Sequence, residues 1–154
     1  MEKIIIAADH AGFLLKEEVK SFLSRQGWIV IDEGTVDENP VDYADYAAAV
    51  AGGVSSGQYD RGILVCGSGA GMSIAANKFP RVRAALSLNE EMAALSRRHN
   101  DSNILVLAGR MTSHDQALKI VTTWLQTPFE GGRHQRRIDK IRAIEQKLNN
   151  GSRL

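Results

Sequence analysis

Cysteine occurs once in 154 residues. One thiol excludes an intramolecular disulfide framework and fits a chain that works in a reducing compartment. Net charge is equally scarce: 19 Lys and Arg stand against 18 Asp and Glu, a formal +1. No global field therefore draws the chain to nucleic acid or to an anionic membrane surface. No apolar run approaches the roughly 20 residues of a membrane span. The opening Met1-Glu2-Lys3-Ile4-Ile5-Ile6-Ala7-Ala8 is too short in its apolar part for a signal peptide and reads as a first strand. A cytoplasmic protein is the expectation. One cysteine and four scattered histidines show none of the spacings that hold zinc, so no metal is expected. Repeats, heptads and low-complexity segments are also lacking.

What is present is an alternation of apolar runs with amphipathic segments. Ile4–Ala8, Trp28–Ile31, Ile63–Cys66, Arg83–Ser87 and Asn103–Leu107 read as five strands. Ile4–Ala8 is apolar at every position, as in a strand covered on both faces. Helices are expected between them. Leu14, Leu15, Val19, Phe22 and Leu23 form one stripe, closed by Gly27. Asp42 is placed to cap a helix from Tyr43 to Val54, and Asn89 another that runs out near Arg97-Arg98-His99-Asn100. Ser113-His114-Asp115-Gln116 is a capping box. A last basic helix spans Gln135 to Leu148, with Ile138, Ile141, Ile144 and Leu148 as its stripe. The pattern predicts one α/β domain over 1–148 with a parallel sheet, and a frayed tail over 149–154. The order of the fourth and fifth strands is left open.

In such sheets ligands bind beyond the carboxyl ends of the strands. The third strand ends in Cys66-Gly67-Ser68-Gly69-Ala70-Gly71, followed by a helix read over Met72–Lys78. A tight Gly-rich turn into a helix leaves backbone N–H groups aimed at one point, where an anion or a developing oxyanion can sit. The spacing is not the dinucleotide fingerprint, and no Gly-Lys-Ser/Thr follows to make a Walker loop. Mere packing is the alternative reading of the glycines. Cys66 taken alone reads as a small buried hydrophobe. Its place against helix-terminal N–H groups makes it a candidate base instead.

Other strand ends also carry polar chemistry. Asp9 and His10 follow the first strand, and Gly109-Arg110 the fifth. Asp9 suits a cap on the following helix, while a histidine in the ligand crevice, the one residue type whose unperturbed charge change lies near neutral pH, is a functional candidate at His10. His99 lies at a helix C-terminus, where a cation is favoured, so structural and functional readings both stand. His114 is assigned no role. Arg133 and Arg137, four apart, share a helix face and suit a phosphomonoester; a solvated face is the alternative.

Taken together, Ala8-Asp9-His10-Ala11-Gly12, Asp42-Tyr43, Cys66-Gly67-Ser68-Gly69-Ala70-Gly71, Ala75-Ala76-Asn77-Lys78, Arg98-His99-Asn100-Asp101, Gly109-Arg110 and Glu130-Gly131-Gly132-Arg133-His134-Gln135-x-Arg137 resemble the type B ribose-5-phosphate isomerase family. That family also includes galactose-6-phosphate and allose-6-phosphate isomerases. The resemblance runs from residue 3 to about 148. It implies a three-layer α/β/α Rossmann-like domain with a five-stranded parallel sheet, and a C-terminal arm (about 130–148) that packs on a partner subunit. It implies a homodimer or tetramer with shared sites, a sugar-phosphate substrate and no metal or organic cofactor. Cys66 would move the proton between C1 and C2, and the Gly67, Ser68, Gly69, Ala70 and Gly71 turn would hold the enediolate oxygen. His99, with Asp9, would open the furanose ring. Asn100 and Tyr43 would orient hydroxyls, and His10, Arg110, Arg133 and Arg137 would bind phosphate. Ser68 departs from the threonine common in the family but keeps the hydroxyl. Ribose 5-phosphate and ribulose 5-phosphate are the expected pair. Another aldose phosphate, or a non-catalytic sugar-phosphate sensor, are the alternatives.

Overall fold

A computed structural model describes residues 2–151. Strands β1 (Lys3–Ala8), β2 (Ile29–Asp32), β3 (Gly62–Cys66), β4 (Ala84–Leu86) and β5 (Ile104–Ala108) form one sheet. Every pairing is parallel, in the order β2-β1-β3-β5-β4. Helices α1 (Phe13–Arg25), α2 (Tyr43–Ser55), α3 (Ala70–Ala76) and α4 (Glu90–Asn100) connect the strands, and α5 (His114–Gln126) and α6 (Arg133–Asn149) follow β5. The three-layer α/β/α reading is met. Of the tail expected over 149–154, residue 149 is helical and 152–154 lie outside the described residues.

The continuous apolar strands are explained by what covers them. Ile4, Ile6 and Ala8 share one buried cluster with Leu15, Val19 and Leu23 of α1 and Ile120, Val121 and Trp124 of α5. Ile5 and Ala7, pointing the other way, share a second with Ala47, Val50 and Ala51 of α2 and Met72 of α3. Strand side chains alternate, so a strand covered on both faces needs apolar residues at every position.

Several boundaries differ from expectation. Helix α3 starts at Ala70, because Gly69 takes a left-handed φ of 78° and turns the chain directly out of β3. Strand β4 is only Ala84–Leu86. Helix α6 begins at Arg133, two residues early, after Gly131 (φ 67°) and Gly132 (φ 55°). Asp42 occupies the N-cap position but its side chain does not cap. The Asp45 N–H it would have satisfied is taken by the Asp42 main-chain carbonyl at 3.2 Å. Asn89 and Ser113 do cap, accepting from Met92 N at 2.8 Å and Gln116 N at 3.2 Å.

Candidate active site

The expected site residues fall into two groups. The first gathers at the carboxyl ends of β1, β3 and β5. Cys66 ends β3, paired in register with Ala108 and only 4% exposed. The first main-chain bond of α3 runs from Ser73 N to Gly69 O at 3.1 Å, so the N–H groups of Gly67, Ser68, Gly69, Gly71 and Met72 lack main-chain acceptors. Ala70 N reaches Ser68 Oγ at 3.4 Å. A buried thiol thus sits at the start of a turn with unpaired donors, the arrangement a developing oxyanion needs.

Side chains close in on this turn. The Tyr43 ring, at the start of α2, lies so near Gly71 that an added methyl would be 2.6 Å from its Cε2. Arg110 lies over Gly67, where a methyl would be 3.4 Å from its Cδ and Nη1. Asp9 is buried and its Oδ1 accepts from Gly12 N at 3.1 Å; Gly12 is itself the N-cap of α1, which no side chain caps, so Asp9 closes the turn before the helix instead of capping it as expected. Nδ1 of His10 accepts from Val41 N at 3.1 Å. A ring nitrogen that accepts carries no proton, so neutral His10 holds its proton on Nε2.

The second group comprises His99 and Asn100 at the end of α4 with Arg133 and Arg137 at the start of α6. In a parallel sheet the helix between two strands runs back antiparallel to them. Helix α4 leaves the carboxyl end of β4 and returns to the amino end of β5, where Ile104 pairs with Gly62 and Ala84. His99 and Asn100 therefore lie at the opposite end of the sheet from Cys66. The four residue steps along β5 alone correspond to about 13 Å. One chain does not bring the two groups together.

The second group is held firmly. Trp124, fully buried, donates from Nε1 to Ser102 Oγ at 2.8 Å, which also meets Ser96 Oγ at 2.8 Å. Arg97 Nη1 donates to Ser102 O at 2.6 Å and Asp101 Oδ1 at 2.8 Å, and Arg83 Nε donates to Asn100 O at 2.9 Å. Arg83 thereby satisfies a carbonyl that the C-terminus of α4 leaves unpaired. Burial pushes the Arg83 guanidinium below its ordinary value, opposed by the Asp101 carboxylate. Arg133 and Arg137 are exposed.

One residue here was not singled out from the sequence. The His134 ring stacks on His99 with centroids 4.2 Å apart and planes at 11°. His134 is 3% exposed, and neither ring nitrogen has a hydrogen-bond partner. Burial lowers its pKa, and the charges of His99 and Arg133 act the same way, against the raising effect of Glu130. Glu130 Oε2 stands 3.5 Å from its Nε2. Potential ligand atoms of His99, Glu130 and His134 lie within 4.8 Å of one another. Imidazole lone pairs lie in the ring planes, and near-parallel planes do not converge on one ion, so the stack is not a zinc geometry.

The family model described as Ribose/Galactose Isomerase matches residues 4–141. The chain belongs to this family. It is 47% identical to ribose-5-phosphate isomerase B of Escherichia coli (strain K12), over 97% of this chain and 100% of that one. A ribose-5-phosphate isomerase B structure from Clostridium thermocellum superposes with a TM-score of 0.93 at 52% identity, covering 95% of this chain and 99% of that one. A Mycoplasma genitalium ribose-5-phosphate isomerase B with bound ribulose-5-phosphate superposes with a TM-score of 0.91 at 43% identity, covering 94% and 97%. Among the described residues no helix is long and apolar enough to cross a membrane.

Proposed function

We propose that this chain interconverts D-ribose 5-phosphate and D-ribulose 5-phosphate. The observation that carries the chemistry is Cys66, a buried thiol at the start of a turn whose N–H groups lack main-chain acceptors. His99, with Asp9, opens the furanose ring. The Cys66 thiolate then takes the C2 proton of the open aldose, giving an enediolate. Its negative oxygen is held by the N–H groups of the 67–71 turn; one such donor is typically worth about 100- to 1000-fold in rate. Return of that proton from Cys66 to C1, with the O2 hydroxyl proton passing to O1, gives the ketose. Asn100 and Tyr43 orient hydroxyls, and His10, Arg110, Arg133 and Arg137 bind the phosphate.

Such a site needs two copies of the chain. The Cys66 group and the His99 group sit at opposite ends of one sheet, so the His99, Asn100, Arg133 and Arg137 of a second chain must approach the first chain's Cys66. Helix α6 supports this, because Ile141, Ile144 and Leu148 remain 46–56% exposed. An apolar stripe of this kind marks a protein interface. We place the homodimer in the cytoplasm, where a free thiol stays reduced, and take residues 1–148 as its one domain.

The test is turnover of ribose 5-phosphate by the purified protein in excess chelator, beside Cys66→Ala. Turnover that the substitution abolishes supports both reaction and base. Full activity in Cys66→Ala contradicts the assignment. Absence of turnover by folded wild type turns the reading toward another aldose phosphate of the family.

A further inference from the structure

We infer that His134 is a positioning residue for ring opening: it holds the His99 imidazole, by face-to-face stacking, in the orientation that serves the sugar's ring oxygen. The inference rests on the reading of His99 as the ring-opening group. Two observations carry it. The rings are 4.2 Å apart and within 11° of parallel, which leaves His99 little freedom about its terminal torsion. His134 is also buried at the expense of both nitrogens, which find no hydrogen-bond partner. Burying an unpaired polar group is unfavourable, and an aliphatic residue would fill the same space without that cost. A flat aromatic at this position therefore does something that filling space does not.

The surroundings fit. His134 opens α6 one residue after Arg133, with Ile138, 2% exposed, one turn on. The loop before it is tied to α4 by Glu130 N donating to Arg98 O at 3.1 Å. The ring is thus anchored to the helix that carries His99. The charged and titratable groups around it are His99 from α4, Glu130 from the loop, and Arg133 and Arg137 from α6. With its protonation disfavoured, His134 offers His99 a neutral aromatic face.

Ring opening can be measured apart from proton transfer. Ribulose 5-phosphate carries its phosphate on O5 and its carbonyl at C2, so it forms no furanose. Exchange of its C1 proton with deuterium from solvent needs the enediolate step but no ring opening. Turnover of ribose 5-phosphate, a furanose in solution, needs both. The informative quantity is the ratio of ribose 5-phosphate turnover to C1 exchange in the dimeric enzyme.

His134→Ala and His99→Ala should each lower that ratio by about tenfold or more, since a positioned acid–base group typically contributes at least that much. His134→Phe, which keeps a stacked ring without nitrogens, should restore most of it. His134→Leu, which fills the volume without a flat face, replaces His134→Ala if the latter does not fold. A ratio unchanged in His134→Ala or His134→Leu overturns the inference, as does a ratio equally low in His134→Phe. A ratio unchanged in His99→Ala overturns instead the reading of His99 on which it rests.

Discussion

The main-chain N–H of Val41 donates to Nδ1 of His10 at 3.1 Å, joining residues 31 apart in the chain. The contact ties the loop after β2 to the end of β1. It also fixes which face of His10 an anion meets: the acceptor is spent on Val41, leaving Nε2–H as the donor. Nitrogen-15 NMR at neutral pH should show His10 with Nδ1 unprotonated and Nε2 protonated. A spectrum with the proton on Nδ1 would contradict this geometry.

The same loop begins at a group of charges. Lys16, only 1% exposed, donates to Asp32 Oδ2 at 2.6 Å and Glu17 Oε1 at 2.7 Å, and Lys20 reaches the same two carboxylates. Burial alone would raise the Asp32 carboxyl, but hydrogen bonds from Lys16, Lys20 and Gly34 N hold it below its ordinary value. A carboxylate whose folded pKa is depressed contributes stability above the unfolded value, and that contribution is lost as pH falls through the folded value. Asp32→Asn leaves a buried ammonium short of a partner and should cost about 3 kcal/mol at neutral pH. Denaturant unfolding should show the gap between wild type and variant constant above about pH 5 and closing below about pH 4, the ordinary carboxylate range. A gap independent of pH would assign the loss to packing.

Gly71 and Tyr43 should behave as one unit. A methyl at Gly71 meets the Tyr43 ring at 2.6 to 3.0 Å, and that ring, 46% exposed, has room to swing outward. Gly71→Ala should therefore change the melting temperature little while raising KM severalfold, and Tyr43→Ala should do the same. The double variant should be no worse than either single one, because residues in contact are not additive. Additive losses in KM would show that the two act separately.

Much of this was legible in the sequence, for identifiable reasons. The central strands β1, β3 and β5 announced themselves because both faces of the sheet are covered there, which forces unbroken apolar runs such as Ile4–Ala8. Asn89 and Ser113 were readable as caps because a side chain alone decides them. Asp42 looked equivalent, yet a main-chain carbonyl met the same need, and side-chain chemistry carries no record of that choice. The start of α3 was missed because Gly69 and Ala70 belong to turn and helix at once. His134 was hidden by its type. The stripe Ile138, Ile141, Ile144 and Leu148 extends back four residues to it, a signal that an apolar residue there would have made plain. The placing of His99 away from Cys66 follows from α4 running back along the sheet, a matter of topology that neither motif contains.

The claim on which the rest depends is that a complete site takes Cys66 from one chain and His99 from another. It is tested by mixing two variants impaired in ribose 5-phosphate turnover, Cys66→Ala and His99→Ala, after reversible dissociation. In a mixed dimer one site has neither residue and the other has both. Random pairing makes half the dimers mixed, so turnover of ribose 5-phosphate should recover to about a quarter of wild type. Mixed dimers verified by mass that are no more active than their parents would contradict a shared site.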